Sequence, residues 1–273
     1  MKIFNNAFDL IEFRKTLSGN IGFVPTMGAL HQGHISLIKT SITENDFTIV
    51  SIFVNPTQFL AGEDFNTYPK RHEADLKICS LAGVDAIFMP SIDDIYFEDE
   101  PTLQAPQKQS YILEGQKRPG HFDGVLRVVL KLFNLVSPTN AYFGKKDAQQ
   151  LFLIQNMVKT FFLHVNIIPC EIVRDELGLA LSSRNAYLSE EEKKDALNIS
   201  KSLKIATKAI ISGERNCEIL KEKMQEVMQD LEVEYIEITN REFKRLESVD
   251  IKNSIILVAA RVGTTRLIDN IWV

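Results

Sequence analysis

Residues 47–54 read FTIVSIFV, a β-prone run with no polar alternation. A strand of that kind is buried on both faces, and strands covered on both sides belong to parallel sheets flanked by helices. Upstream, residues 21–37 read IGFVPTMGALHQGHISL: an apolar run from Ile21 to Val24, a small-residue turn at Gly28 and Ala29, then a helical pattern carrying Ile35, Leu37 and Ile38. The two segments predict a β-α-β unit. Further β-prone runs follow at residues 84–89, 141–143 and 165–173, and helical patterns lie at 8–17, after Tyr68-Pro69, and at 125–136. Five strands alternating with helices predict an α/β fold with a doubly wound, Rossmann-like parallel sheet.

The remainder reads differently. Two helices, at 189–212 and 217–231, precede β-prone runs at 233–239, 254–261 and 265–272, with Gly263-Thr264 joining the last two as a hairpin. The expected division is a Rossmann-like domain over residues 1–178 and a smaller α+β domain over 179–273.

Charge and cysteine usage narrow the setting. Net charge is −5 with no long basic block, which argues against nucleic acid as a partner but allows a local anion pocket. The N-terminal MKIFNNAFDLIEF is interrupted by Asn, Asp and Glu, and no apolar run approaches membrane-spanning length. Cys79, Cys170 and Cys217 are widely spaced and form no C-x-x-C, so they read as free thiols in a reducing cytoplasm.

Polar residues cluster where strands end. His31 and His34 stand three apart at the join of the first strand and helix, where free N–H groups and the helix dipole favour phosphate. The turn is neither a P-loop nor G-x-G-x-x-G, and a purely structural turn or a zinc-binding histidine pair are the rival readings. Asn55 and Gln58 follow the second strand, where open parallel sheets hold ligands; as a rival, Asn before Pro is a common turn former. Residues 90–120 form a long irregular connection, ending in Lys117, Arg118 and His121, which suit either an anion or a solvated surface. GKKDAQQ, with Gly144, Lys145, Lys146, Asp147, Gln149 and Gln150, sets lysines at a helix N-terminus, against the dipole; a bound polyanion explains them. Ser182, Ser183, Arg184 and Asn185 read either as a triphosphate grip or as an interdomain turn.

The motifs PTMGALHQGH, FVNPTQF, PGHFDGV, FGKKDAQQ and LALSSRN, in this order and spacing, closely resemble the pantoate–β-alanine ligases of the nucleotidyltransferase superfamily. The resemblance implies ATP-dependent joining of pantoate to β-alanine through a pantoyl adenylate, with AMP and pyrophosphate released and Mg²⁺ carried by ATP rather than by a protein metal site. It implies a homodimer and a mobile segment at residues 181–184. By motif, Met27, Gly28, Ala29, Leu30, His31, Gln32, Gly33 and His34 would line ATP. Gly144, Lys145, Lys146 and Asp147 would meet its ribose and phosphates, Val173 its adenine, and Leu181, Ser182, Ser183 and Arg184 its phosphates. His31, His34, Lys146 and Arg184 are the expected catalytic residues; Gln58, Gln150 and Arg118 would bind pantoate, and Gln58 and Asn55 β-alanine. The first domain would then hold nucleotide and pantoate.

Three positions depart from the family pattern: Lys145 replaces a usual Glu, Leu177 a usual Asp, and Arg127 a frequent Thr. Two rivals of other classes are a different nucleotidyltransferase, disfavoured by the neutral amides Gln58 and Gln150, and a non-catalytic nucleotide-binding module, disfavoured by the retained histidines, lysines and serines.

Overall fold

The computed structural model describes residues 1–273. The chain forms two compact units, Met1–Lys145 with Gln149–Glu171, and Lys146–Ala148 with Ile172–Val273. The changeover at Glu171 precedes the expected one at 178. The reason is local: the last parallel strand stops at Cys170, and Arg174 is already tied to the C-terminal strand by two bonds to Asp269, at 2.6 and 2.9 Å.

In the first unit the order is β1 (Lys2–Phe4), α1 (Ala7–Lys15), β2 (Ile21–Thr26), α2 (Gln32–Glu44), β3 (Phe47–Ile52), α3 (His72–Ala82), β4 (Ala86–Phe88), α4 (Ile92–Ile95), α5 (Gln107–Ser110), α6 (Glu114–Lys117), α7 (His121–Val136), β5 (Asn140–Gly144), α8 (Ala148–Thr160) and β6 (Asn166–Cys170). The sheet has six strands, not five, in the order β1-β4-β3-β2-β5-β6. The additional strand, β1, is a three-residue edge piece paired in parallel with β4. Every pairing in this sheet is parallel.

Both faces are covered, as the apolar β3 run demands. On one, Val24, Val50 and Ile87 of the sheet pack with Ile38 of α2 and Cys79 of α3. On the other, Phe133 of α7 meets Phe23 and Phe143 edge-on. Each such fully buried side chain contributes about 1.5–3 kcal/mol. The order turns between β2 and β5, so the turns leaving those strands flank the switch point at which doubly wound sheets bind ligands.

The second unit carries α9 (Glu190–Ile211), α10 (Cys217–Val227) and an antiparallel sheet of β7 (Glu232–Asn240), β8 (Ser254–Val262) and β9 (Thr265–Trp272). Ser189 and Glu192 close a reciprocal cap at the start of α9. Ile199, Leu203, Leu220, Met224, Ile256 and Val258 form its core. All three cysteines are free and buried. Burial pushes the Cys79 thiol up to about 12 and Cys170 to about 11, which keeps both unreactive. No helix is long and apolar enough to cross a membrane.

Candidate active site

The turn leaving β2 is held from below. Gly28 has φ +84, and Ala29, with φ 49, stands in the left-handed region that costs an alanine energy. What compensates is Asp75, a residue of α3 that is 1% exposed and accepts the amides of Ala29 and Leu30 at 2.9 and 2.8 Å. A Cβ on Gly28 would lie 3.0 Å from that carboxylate. The Gly28 amide goes to Thr26 Oγ1. At the start of α2, His31 Nδ1 accepts from the Gly33 amide at 3.1 Å and His34 Nδ1 accepts from the His31 amide at 3.3 Å. The rings lie 4.1 Å apart between centroids.

This changes the expectation for the turn. Its amides from Gly28 to His31, and that of Gly33, are bound inside the protein rather than waiting for phosphate. The imidazoles and the helix dipole are what the segment offers an anion. With both Nδ1 atoms accepting, a neutral ring carries its proton on Nε2, as a donor.

Beyond β3, Asn55 caps the 3-10 turn Pro56–Gln58 and fixes Gln58. Its Nδ2 donates to Gln58 Oε1 at 3.1 Å and to Gly124 O at 3.2 Å. Gln58 Nε2 in turn points at Met27 Sδ, 3.1 Å away, which joins this turn to the one leaving β2. Asn55 is 1% exposed, and its amide donors are engaged by Gln58 and Gly124.

Arg118 is likewise engaged. Its Nε and one terminal nitrogen both reach Glu63 at 2.7 Å, the latter also reaching Gln58 O, and the other terminal nitrogen meets His121 Nε2 at 3.0 Å. Arg118 thus makes four donor contacts inside the protein, one of them to the Gln58 carbonyl. Burial, then the Arg118 cation, bring the His121 imidazole down to about 4, so it is neutral, donating from Nδ1 to Gln58 O at 2.8 Å. Burial alone would raise the Glu63 carboxyl, but the Arg118 hydrogen bond and charge hold it below its usual range.

At the end of β5, Gly144 leads into the 3-10 turn Lys145–Asp147. Lys145 pairs with Glu171, at the end of β6. Gln149 is buried and serves the long connection, donating to Gln109 O and Ile112 O at 2.7 and 2.9 Å, whereas Gln150, next on α8, is half-buried. In the second unit Lys146 stands 3.7 Å from Asp147, and its carbonyl accepts from Asn270 at 2.7 Å. Val173 lies beyond β6, where its carbonyl accepts the Leu181 amide at 3.0 Å. Ser182 Oγ accepts the Arg184 amide at 3.2 Å and starts the 3-10 helix Ser183–Tyr187.

The family model for pantoate-beta-alanine ligase matches residues 2–272. The chain belongs to the pantoate–β-alanine ligase family. It is 61% identical over 272 residues to the pantothenate synthetase of Aliarcobacter butzleri, covering all of both chains, and 53% identical to that of Helicobacter pylori, again over 100% of each. Among solved structures, pantothenate synthetase from Thermus thermophilus superposes with a TM-score of 0.95 at 37% identity, covering 100% of this chain and 99% of that one. The pantoate-β-alanine ligase of Francisella tularensis, complexed with Beta-gamma ATP and β-alanine, gives 0.83 at 40% identity, with 100% and 97% covered.

Each departure from the ligase pattern has a place in the structure. Lys145 is matched by Glu171. Leu177 is 70% exposed at a turn whose amides, those of Leu177, Gly178 and Leu179, are all taken by Asp175 Oδ1. Arg127 pairs with Glu100 in the long connection. Several residues of this ligase escaped the sequence reading: Asp75, Glu63, Tyr96, Glu100 and Asn270. Asp75 did leave a trace, since it falls on the buried stripe of α3 with Cys79, four residues on. The others act through contacts distant in sequence.

Proposed function

We propose that this ligase joins pantoate to β-alanine, giving pantothenate, with ATP cleaved to AMP and pyrophosphate through an enzyme-bound pantoyl adenylate. The observation that carries the reading is the histidine pair at the start of α2, whose inward Nδ1 acceptors turn both rings into Nε2–H donors. Donors suit this chemistry. Pantoate's carboxylate is ionised at neutral pH, so its attack on the α-phosphorus needs no protein base, and charge on the phosphates is what must be stabilised. One carboxylate oxygen bonds to phosphorus as the bond to pyrophosphate breaks. The β-alanine amine then attacks the acyl carbon, the bond to AMP breaks, and the amine gives up a proton.

In this reading residues 27–34 line ATP, with His31 and His34 donating to its phosphates. Gly144, Lys146 and Asp147 serve ribose and phosphates, Val173 the adenine, and Ser182, Ser183 and Arg184 the phosphates. Lys145 is neutralised by Glu171 and adds little to the positive field. Gln58 and Gln150 hold pantoate, and Gln58 also borders β-alanine, while Asn55 and Arg118 act through Gln58. The family likeness supports Mg²⁺ carried on ATP oxygens, where it would offset phosphate charge. The family likeness also supports a homodimer, for which sedimentation should give twice the chain mass.

The test is pyrophosphate release from purified protein with ATP and Mg²⁺. Release with pantoate alone, then turnover to a product of pantothenate mass once β-alanine is added, is the expected result. Silence with both substrates would leave a nucleotide-binding module.

A further inference from the structure

We infer that Tyr96 is a positioning residue for Gln58, and that the cluster of Glu100 with Arg127 and Lys131 holds Tyr96 in place. The inference rests on the reading of Gln58 as the pantoate amide. Tyr96 follows α4 in the long connection, yet its hydroxyl donates to Asn55 Oδ1 at 2.6 Å and lies 3.1 Å from Thr57 Oγ1. With Oδ1 filled by that hydroxyl, its shortest contact, and by the hydroxyl and amide of Thr57, Asn55 turns its NH₂ to Gln58 Oε1 and Gly124 O. Gln58 then has its carbonyl end occupied and its NH₂ end directed at Met27 Sδ.

A thioether is a weak acceptor, so that NH₂ exchanges it readily for a stronger one. Pantoate offers such acceptors in its carboxylate and hydroxyl oxygens. The reverse orientation would present Oε1, an acceptor, to an anion. Tyr96 thus helps decide which end of the amide meets the substrate.

The ring is held by the two cations packed against it, Arg127 at 5.0 Å and Lys131 at 4.9 Å. Both cations bind Glu100, through Arg127 Nε at 2.9 Å and Lys131 Nζ at 2.6 Å, and the Phe97 amide reaches the same carboxylate at 2.9 Å. Lys131 also bonds Ile95 O, next to Tyr96 in the chain. Arg127, one of the departures from the family pattern, therefore fastens the part of the connection that carries the phenol.

Steady-state kinetics of Tyr96→Phe test this. Loss of one buried hydrogen bond predicts a pantoate KM raised about 5- to 10-fold, with the KM for ATP and the melting temperature close to wild type. Glu100→Ala should move the pantoate KM the same way, and Glu100→Gln, which still accepts from Lys131, should restore part of it. A pantoate KM unchanged in Tyr96→Phe, or an ATP KM rising in parallel, would overturn the role. Should the wild type make no pantothenate, the substrate reading fails, and the Gln58 side-chain amide resonance in the free protein still decides this one. Assigned by its loss in Gln58→Glu, that resonance should shift in Tyr96→Phe; an unmoved resonance would overturn the relay.

Discussion

Single residues carry the site's charge arrangement, and Asp75 is the most consequential. Its carboxylate satisfies two amides in a dry turn, so Asp75→Ala leaves both unpaired and releases Ala29 from its left-handed conformation. The expected cost is about 2–4 kcal/mol, read as a lower urea midpoint, together with weaker ATP binding. His121 supplies a pH signature. Its imidazole titrates at about 4 when folded against an ordinary 6.5, so between those values the unfolded chain binds more protons and stability falls as pH falls. Urea titrations from pH 7 to 5 should show this loss, and below about 4.5 the depressed carboxyls of Glu63 and Glu100 add to it. His121→Asn, which keeps an N–H for Gln58 and gains no proton, should show a shallower slope; an equal slope would show that His121 is not the group responsible. Lys146→Ala should lower pyrophosphate release by about 10²–10³-fold with stability unchanged. At this scale the sequence was informative about identity but not about partners. His31, His34, Gln58 and Lys146 stood out because polar residues at strand ends have few structural uses. The engagement of Arg118 by Glu63, and of Asn55 by Tyr96, could not be read, because those partners lie far apart in the chain.

Elements place these residues, and α7 comes close against the 3-10 turn after β3. A Cβ on Gly124 would stand 2.2 Å from Thr57 O, so Gly124→Ala must push the turn away and carry Asn55 and Gln58 with it. The prediction is a destabilisation of about 1–3 kcal/mol and a raised pantoate KM, from urea melts and kinetics on the same preparation. Strands with a continuous apolar run were legible, and β2 and β3 begin where expected. β1 was missed because three residues at a sheet edge carry no periodicity. The start of α7 was placed too late, at Val125, because His121, Phe122, Asp123 and Gly124 look like a loop while the left-handed Gly120 already caps the helix. α4, α5 and α6 are single turns, too short to announce themselves, and they turn what read as an irregular connection into a packed one.

At the scale of the molecule, a doubly wound sheet and a smaller antiparallel sheet account for the whole chain, and the strand order turns beside the histidine pair. The first unit brings the histidines, Gln58 and the network behind it. Lys146, Val173 and the segment from Leu181 to Arg184 belong to the second. The central claim is that pantoate's own carboxylate attacks the α-phosphorus, so that a pantoyl adenylate rather than a pantoyl phosphate is the activated intermediate. It is tested most directly with pantoate labelled with ¹⁸O in both carboxylate oxygens, turned over with ATP and β-alanine, and the products weighed by mass spectrometry. Direct attack predicts one ¹⁸O in each AMP, one retained in the amide carbonyl of pantothenate, and none in pyrophosphate. Unlabelled AMP, or label in inorganic phosphate alongside ADP, would contradict it.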